Sequence, residues 1–296
     1  MMKQTAYEKI TGRILELLKA GTVPWHKPWS SVAVRNLVSQ KEYRGVNTFL
    51  LGCMPYASPH WLTFKQAKTL GGSVRKGEKG SPCVFWKWMK AKTVEREDED
   101  GNTITLVDGR NPLGYPMLKQ YTVFNSEQCD GIEVPKIEEK DNEPIADCET
   151  IVDSMPKCPD IRHESSGAFY RPAEDFVSLP MLSVFDGPEE YYSTLFHELT
   201  HSTGHASRLG RHGKREYTFH GFGSQNYSRE ELVAEMGAAF LSGHCGIENR
   251  TIDNSAAYID SWRAKLGEDP KLVVIAAAQA QKSADFILGR KFEEAS

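Results

Sequence analysis

No apolar run in this 296-residue chain approaches the ~20 residues that a membrane-crossing helix needs. The longest apolar-rich piece, residues 272–280, has the length of a core helix. The amino terminus is not expected to be a signal peptide. Residues 1–18 mix charges with Ile10, Ile14, Leu15, Leu17 and Leu18, which is an amphipathic helix without an apolar centre or cleavage site. Six cysteines (Cys53, Cys83, Cys129, Cys148, Cys158 and Cys245) include no C-x-x-C pair, so neither a redox motif nor a zinc knuckle is indicated. A reduced, cytoplasmic setting without membrane contact is expected. No internal repeat is evident. What remains is a globular chain long enough for two cores.

The net charge of -4 conceals a division. Residues 1–94 carry 16 Lys and Arg against 4 Asp and Glu, whereas residues 131–296 carry 17 against 28. Five of the six tryptophans (Trp25, Trp29, Trp61, Trp86 and Trp88) lie in the basic stretch. Aromatic faces for bases, interleaved with cations for phosphates, are what single-stranded nucleic acid binding requires. The plainer alternative is a small domain with tryptophans as core and lysines as solvated surface; for any one tryptophan, core is the commoner fate. The candidate DNA contacts are Trp25, Lys27, Trp29, Arg44, Arg75, Lys76, Lys79, Trp86, Lys87 and Trp88. The turn at residues 74–80 combines Arg75, Lys76 and Lys79 with glycines that let backbone N–H groups approach a phosphate.

Residues 197–201 read His-Glu-Leu-Thr-His. Two histidines four apart share one face of a helix and can reach one metal ion, with Glu198 next to the first as general base for a water held there. Pro188 and the acids that follow it, Glu189 and Glu190, suit a helix start with Asp186 as cap, and Gly204 suits a stop. A catalytic zinc needs a third protein ligand. Residues 228–241 read as a helix capped by Ser228, with Glu231 and Glu235 on one face. Glu231 could instead complete a capping box with Ser228, and Glu235 could be a surface acid.

The Glu231-x-x-Ala234-Glu235 run resembles the E-x-x-A-D helix of gluzincin-type metalloproteases. That resemblance implies Glu231 as metal ligand and Glu235 as the acid that orients a ligating histidine, although the two could exchange roles. Zinc is the expected metal, and imidazole–carboxylate ligation also permits manganese. Tyr217, His220 and Tyr227, between the two metal-binding segments, are candidates for stabilising an oxyanion.

Along the chain, residues 48–52 read as a helix, and residues 61–64 open another that ends at Gly71. Residues 84–88 and 121–125 read as strands. Residues 95–101 read as an acidic hairpin tip or flexible loop, and residues 147–155 as a helix. Residues 168–171 and 175–179 read as a hairpin beside the metal helix, and residues 258–266 and 271–289 as closing helices. The expected organisation is α+β. A small α+β nucleic-acid-binding domain (1–131) and a linker (132–143) precede a mostly helical zincin-like metallopeptidase domain (144–296). Residues 1–130 are expected to fold alone.

Taken together, V-P-W-H-K-P-W (23–29), R-G-V-N-T (44–48), W-x-T-F-K-Q-A-K (61–68), G-x-V-R-K-G-E-K-G (72–80) and Y-x-V-F-N-x-E-Q (121–128) are similar to the single-stranded DNA-binding domain of the plasmid antirestriction proteins of the ArdC type. H-E-L-T-H-S-T-G-H-x-x-R-L (197–209) and Y-x-R-E-E-L-V-A-E (227–235) resemble that family's zincin-like metallopeptidase domain. The resemblance implies single-stranded DNA as partner, a metal site, and protection of incoming plasmid DNA from host restriction. It leaves open whether an unknown protein is cut. The same amino-terminal domain also occurs on plasmid primases, and a primase domain is not expected in 296 residues.

Overall fold

The computed structural model describes residues 4–25, 33–89, 93–97, 103–107, 115–135, 144–163, 167–211, 225–247 and 256–290. Lys27, Trp29, Tyr217, His220, residues 98–101 and residues 136–143 of the expected linker lie outside them. No helix among the described residues is long and apolar enough to cross a membrane, and all six cysteines are free thiols.

The chain opens with α1 (Ala6–Lys19), started by a capping box in which Thr5 and Glu8 satisfy each other's backbone N–H groups. Its Ile10, Ile14 and Leu18 recur at helical spacing and are buried. Then follow β1 (Arg35–Asn36), α2 (Val46–Gly52), β2 (His60–Thr63), α3 (Phe64–Thr69), β3 (Ser73–Val74), β4 (Ser81–Met89), the hairpin β5 (Thr93–Glu97) and β6 (Thr103–Val107), β7 (Tyr115–Asn125) and β8 (Cys129–Asp130). The main sheet has the order β1-β2-β7-β4. Its β1–β2 pair is parallel and the others antiparallel. The carboxyl-terminal half comprises α4 (Pro144–Ser154), β9 (Asp160–Arg162), β10 (Phe169–Arg171), β11 (Phe176–Ser178), α5 (Pro188–Ser202), α6 (Gln225–Cys245), α7 (Ala256–Glu268) and α8 (Leu272–Ile287). Its small sheet has the order β10-β11-β9.

Three local expectations are corrected. Residues 61–63 belong to a strand, not a helix: β2 lies between β1 and β7, with Trp61 and Leu62 both buried. The helix begins only after Thr63, which forms a capping box with Gln66. Asp186 does not cap α5. Gly187 occupies the cap position, Pro188 follows it, and the Asp186 N–H donates to the Glu190 carboxylate at 3.0 Å. Ser228 lies inside α6, which starts at Gln225, so Glu231 is not half of a capping box there.

Buried side chains also cross between the two expected domains. The largest cluster of buried side chains joins Ile10, Ile14, Leu18, Val23, Trp25, Phe49 and Val84 to Leu232, Val233 and Met236 of α6, Trp262 of α7 and Val273 of α8. A second cluster joins α4, β11, α5 and the far end of α6. Polar bonds tie the same seam. Thr11 donates to the Pro270 carbonyl at 2.7 Å. Arg44 pairs with the buried carboxylate of Asp285, and the Gly45 N–H donates to Gln281 at 3.1 Å. Residues 1–130 alone would expose this apolar surface.

One close approach sets the geometry of the metal-binding half. A Cβ on Gly237 of α6 would stand 2.5 Å from Cγ2 and 2.6 Å from Oγ1 of Thr200 on α5. Thr200 is itself buried and hydrogen-bonded to the Phe196 carbonyl at 2.7 Å. It cannot yield without moving the helix. Gly237→Ala is therefore expected to destabilise the chain by about 1–3 kcal/mol, as overpacking does. Gly12→Ala, where a Cβ meets nothing within 4 Å, should be neutral or stabilising. Thermal melting of both variants checks this. Equal melting temperatures for Gly237→Ala and the parent chain would contradict the close contact.

Candidate metal centre and nucleic-acid surface

Leu195, Phe196 and Leu199 bury one side of α5 in the second core. That leaves His197 and His201 half-buried, one turn apart. Across the Gly237–Thr200 contact, α6 presents Glu231. The two histidine Nε2 atoms are 3.1 Å apart. Glu231 carboxylate oxygens lie 3.6 Å from each of them. Four-coordinate zinc with bonds of about 2.0–2.1 Å spaces its donors about 3.3 Å apart. The three donors, all within 4.8 Å of one another, thus fit a single divalent ion with little rearrangement. Glu198, beside His197, is buried.

The carboxylate behind His201 is Glu230, not Glu235. Glu230 Oε1 lies 3.4 Å from His201 Nδ1, so with Nε2 on a metal the Nδ1–H can donate to it. Arg211 holds Glu230 through two nitrogens, at 2.5 and 3.3 Å. Arg211 is anchored in turn to the Thr200 carbonyl at 3.0 Å and Ser283 Oγ at 2.8 Å. Glu235 is elsewhere engaged: it accepts from Trp25 Nε1 at 3.0 Å and from the Tyr258 hydroxyl. A signal for Glu230 existed in the Glu230-Glu231 pair. Successive helix residues point about 100° apart, so two adjacent acids cannot serve the metal in the same way. Nothing local pointed to Arg211, Trp25 or Tyr258.

The charges follow from burial and neighbours. Burial pulls the His201 imidazole down, but its bond to Glu230 and the charges of Glu198, Glu231 and Glu230 push it up to about 9. Burial pushes Glu230 up, yet Arg211 and His201 bring it to about 2. Burial likewise raises Glu231, and His197 and His201 outweigh it, leaving the carboxyl below its ordinary value. Burial dominates at Glu235, which is pushed up to about 7 despite its donors.

In the other half the aromatic and basic candidates separate. Trp25 is fully buried and offers no face to a base. Arg44 is held by Asp285. Arg75 closes its own turn, donating to Glu78 at 2.8 Å and the Glu127 carbonyl at 2.6 Å. Lys76 and Lys79 are exposed. Trp86 and Trp88 are 43% and 59% exposed, and Lys87, also exposed, alternates to the opposite face of β4. The Lys87 face carries a feature missed in sequence. Phe85 and Tyr121 stack at 4.4 Å with planes 9° apart. Tyr121 is 48% exposed, and the Phe85↔Lys119 and Lys87↔Met117 pairings put Lys119 and Lys87 on the same face. The strand register supplies what a single-strand alternation could not.

A family described as "N-terminal domain of anti-restriction factor ArdC" matches residues 4–124, and one described as "Zincin-like metallopeptidase" matches residues 147–279. The DNA primase TraC of Escherichia coli is 38% identical over 301 residues, covering 97% of this chain and 27% of that protein. The chain thus spans about a quarter of that relative's length. The metal-free crystal structure of the antirestriction protein ArdC from plasmid R388 has 36% identity and a TM-score of 0.67. It covers 95% of this chain and 96% of that one. The Mn(II)-bound crystal structure of the same protein has 34% identity and a TM-score of 0.71, covering 97% and 98%.

Below about pH 9 a metal must displace the proton that His201 carries in the free protein. Manganese affinity is therefore expected to rise steeply from pH 6 towards 9, up to about ten-fold per unit, and then to level. Titration calorimetry across this range checks the sign, and flat affinity would contradict it. His197→Ala, His201→Ala and Glu231→Ala should each lose metal, with Glu235→Ala losing far less.

Proposed function

Because this chain belongs to the antirestriction proteins of the ArdC type, we propose that it binds single-stranded DNA on its main sheet and protects incoming plasmid DNA from host restriction. The observation that carries the DNA reading is the stacked Phe85–Tyr121 pair on an open sheet face flanked by Lys87 and Lys119. Stacked aromatic surface of this kind takes unpaired bases, each contributing about 1–3 kcal/mol, while lysines neutralise phosphates and release counterions. Lys76 and Lys79 add exposed positive charge, and Trp86 and Trp88 are exposed on the opposite face of β4. Duplex DNA hides its base faces and should bind more weakly.

Fluorescence anisotropy with the whole chain tests this. Affinity for a single-stranded oligonucleotide should fall steeply with salt. Tyr121→Ala should weaken it at every salt concentration, by about five-fold or more. Joint replacement of Lys76 and Lys79 by alanine should chiefly flatten the salt slope. A preference for duplex would contradict the reading.

The metal centre is read as hydrolytic, acting on a protein at or near the bound strand. Glu198 supports this over a purely structural site, which would have no use for a buried carboxylate beside the first ligand. His197, His201 and Glu231 would hold zinc or manganese; the manganese in the R388 protein favours the latter being accepted. A bound divalent ion supplies Lewis acidity, lowering the pKa of water and polarising an amide carbonyl. Glu198 would take the proton from the attacking water and return it to the leaving amine. Glu230 would keep His201 in the tautomer that offers Nε2. At the edge of its sheet and packed against α5, β10 could accept an extended substrate strand. Glu198→Gln should retain metal and abolish cleavage of a test protein such as casein, measured with and without single-stranded DNA. Undiminished cleavage by that variant would exclude Glu198 as the base.

A further inference from the structure

We infer that Trp25, from the basic amino-terminal half, is a positioning residue for the metal centre: its indole N–H holds Glu235, and with it the turn of α6 that carries Glu231. The inference rests on reading His197, His201 and Glu231 as metal ligands. Trp25 is fully buried and is met edge-on by Trp262 at 6.1 Å and 88°. Its Nε1 is 3.0 Å from Glu235 Oε2 and 3.1 Å from the Tyr258 hydroxyl oxygen. The same Tyr258 hydroxyl donates to Glu235. One carboxylate oxygen on α6 thus collects two donors from segments 210 and 23 residues away in sequence.

Glu235 follows Glu231 by four residues, so both project from one face of α6, a turn apart. The two donors fix the rotation of α6 about its own axis at that turn. Glu231 must keep its oxygens between two imidazoles, so an error in that rotation carries it off the ligand position. Without the indole N–H, the half-buried carboxylate loses a donor, and turning towards water is its relief. That turn would draw Glu231 away from His197 and His201. Gly237 fixes how closely the two helices approach; Trp25 fixes how α6 is turned.

Trp25→Phe in the whole chain removes the N–H while keeping an aromatic ring and changing no charge. It should bind Mn(II) about ten-fold more weakly at unchanged stoichiometry, with an altered Mn(II) paramagnetic resonance spectrum. Tyr258→Phe, which removes the other donor, should shift affinity in the same direction and serves if Trp25→Phe does not fold. Ile10→Val lies in the same core without touching Glu235. It separates stability from positioning, and should lower the melting temperature while leaving Mn(II) affinity unchanged. Parental affinity in the folded donor variants would overturn the inference, as would an equal loss in Ile10→Val. A parent chain that binds no Mn(II) would overturn the metal-site reading, and this inference with it.

Discussion

The metal centre exists because α5 and α6 come close enough for side chains of one to reach those of the other. Thr200, inside the histidine pair, meets the bare backbone of Gly237, six residues beyond Glu231. A methyl group there would force the helices apart, and three short side chains could no longer converge within 4.8 Å. Glu198, His197 and His201 on α5 and Glu230 and Glu231 on α6 all take their positions from this one contact. The buried Arg211 then locks the seam, bridging Glu230 of α6, the Thr200 carbonyl of α5 and Ser283 of α8.

Helix α6 serves more than the metal. Its Leu232, Val233 and Met236 complete the core begun by α1, Trp25 and α2, while Leu241 and Cys245 complete the core beneath α5. The separation of charge along the chain is therefore a property of the surface, not of the interior. Beneath a basic half and an acidic half, the largest buried cluster takes side chains from both, and the seam is stitched by Arg44 with Asp285 and by Trp25 with Glu235. The sheet that offers Phe85, Tyr121 and the lysines is fixed to the same frame. Asn47 of α2 bonds both the N–H and the carbonyl of Val84 on β4, at 2.8 and 2.6 Å. The same frame explains why Trp25 and Arg44, which read as DNA contacts in the sequence, serve as joints between the two halves.

What the sequence disclosed was what depends on neighbours in the chain. The four-residue spacing of His197 and His201 is a helix property, and it held. The alternation over residues 84–88 marked β4, but the identity of the useful face did not follow, because that depends on β7 pairing Lys119 with Phe85. Trp61 lies in β2, and Thr63-x-x-Gln66 is the capping-box signal that starts the helix only after it. Trp25 and Trp88 are indistinguishable as letters in a basic, aromatic segment. One is interior only because α6 and α7, more than 200 residues on, close over it. The assignment of Glu235 to a histidine followed a motif from another family. Here the acid is drawn to the Trp25 and Tyr258 donors, and Glu230 lies behind His201.

The central claim is that one divalent ion sits between the two helices, joined to a core that both halves share. Diffraction from crystals of the whole chain grown with Mn(II), collected at the manganese absorption edge, tests it most directly. The account predicts one anomalous peak per chain within about 2.3 Å of His197 Nε2, His201 Nε2 and a Glu231 carboxylate oxygen, with Glu235 still bonded to Trp25. A peak held by other residues, or no peak in crystals saturated with manganese, would contradict it.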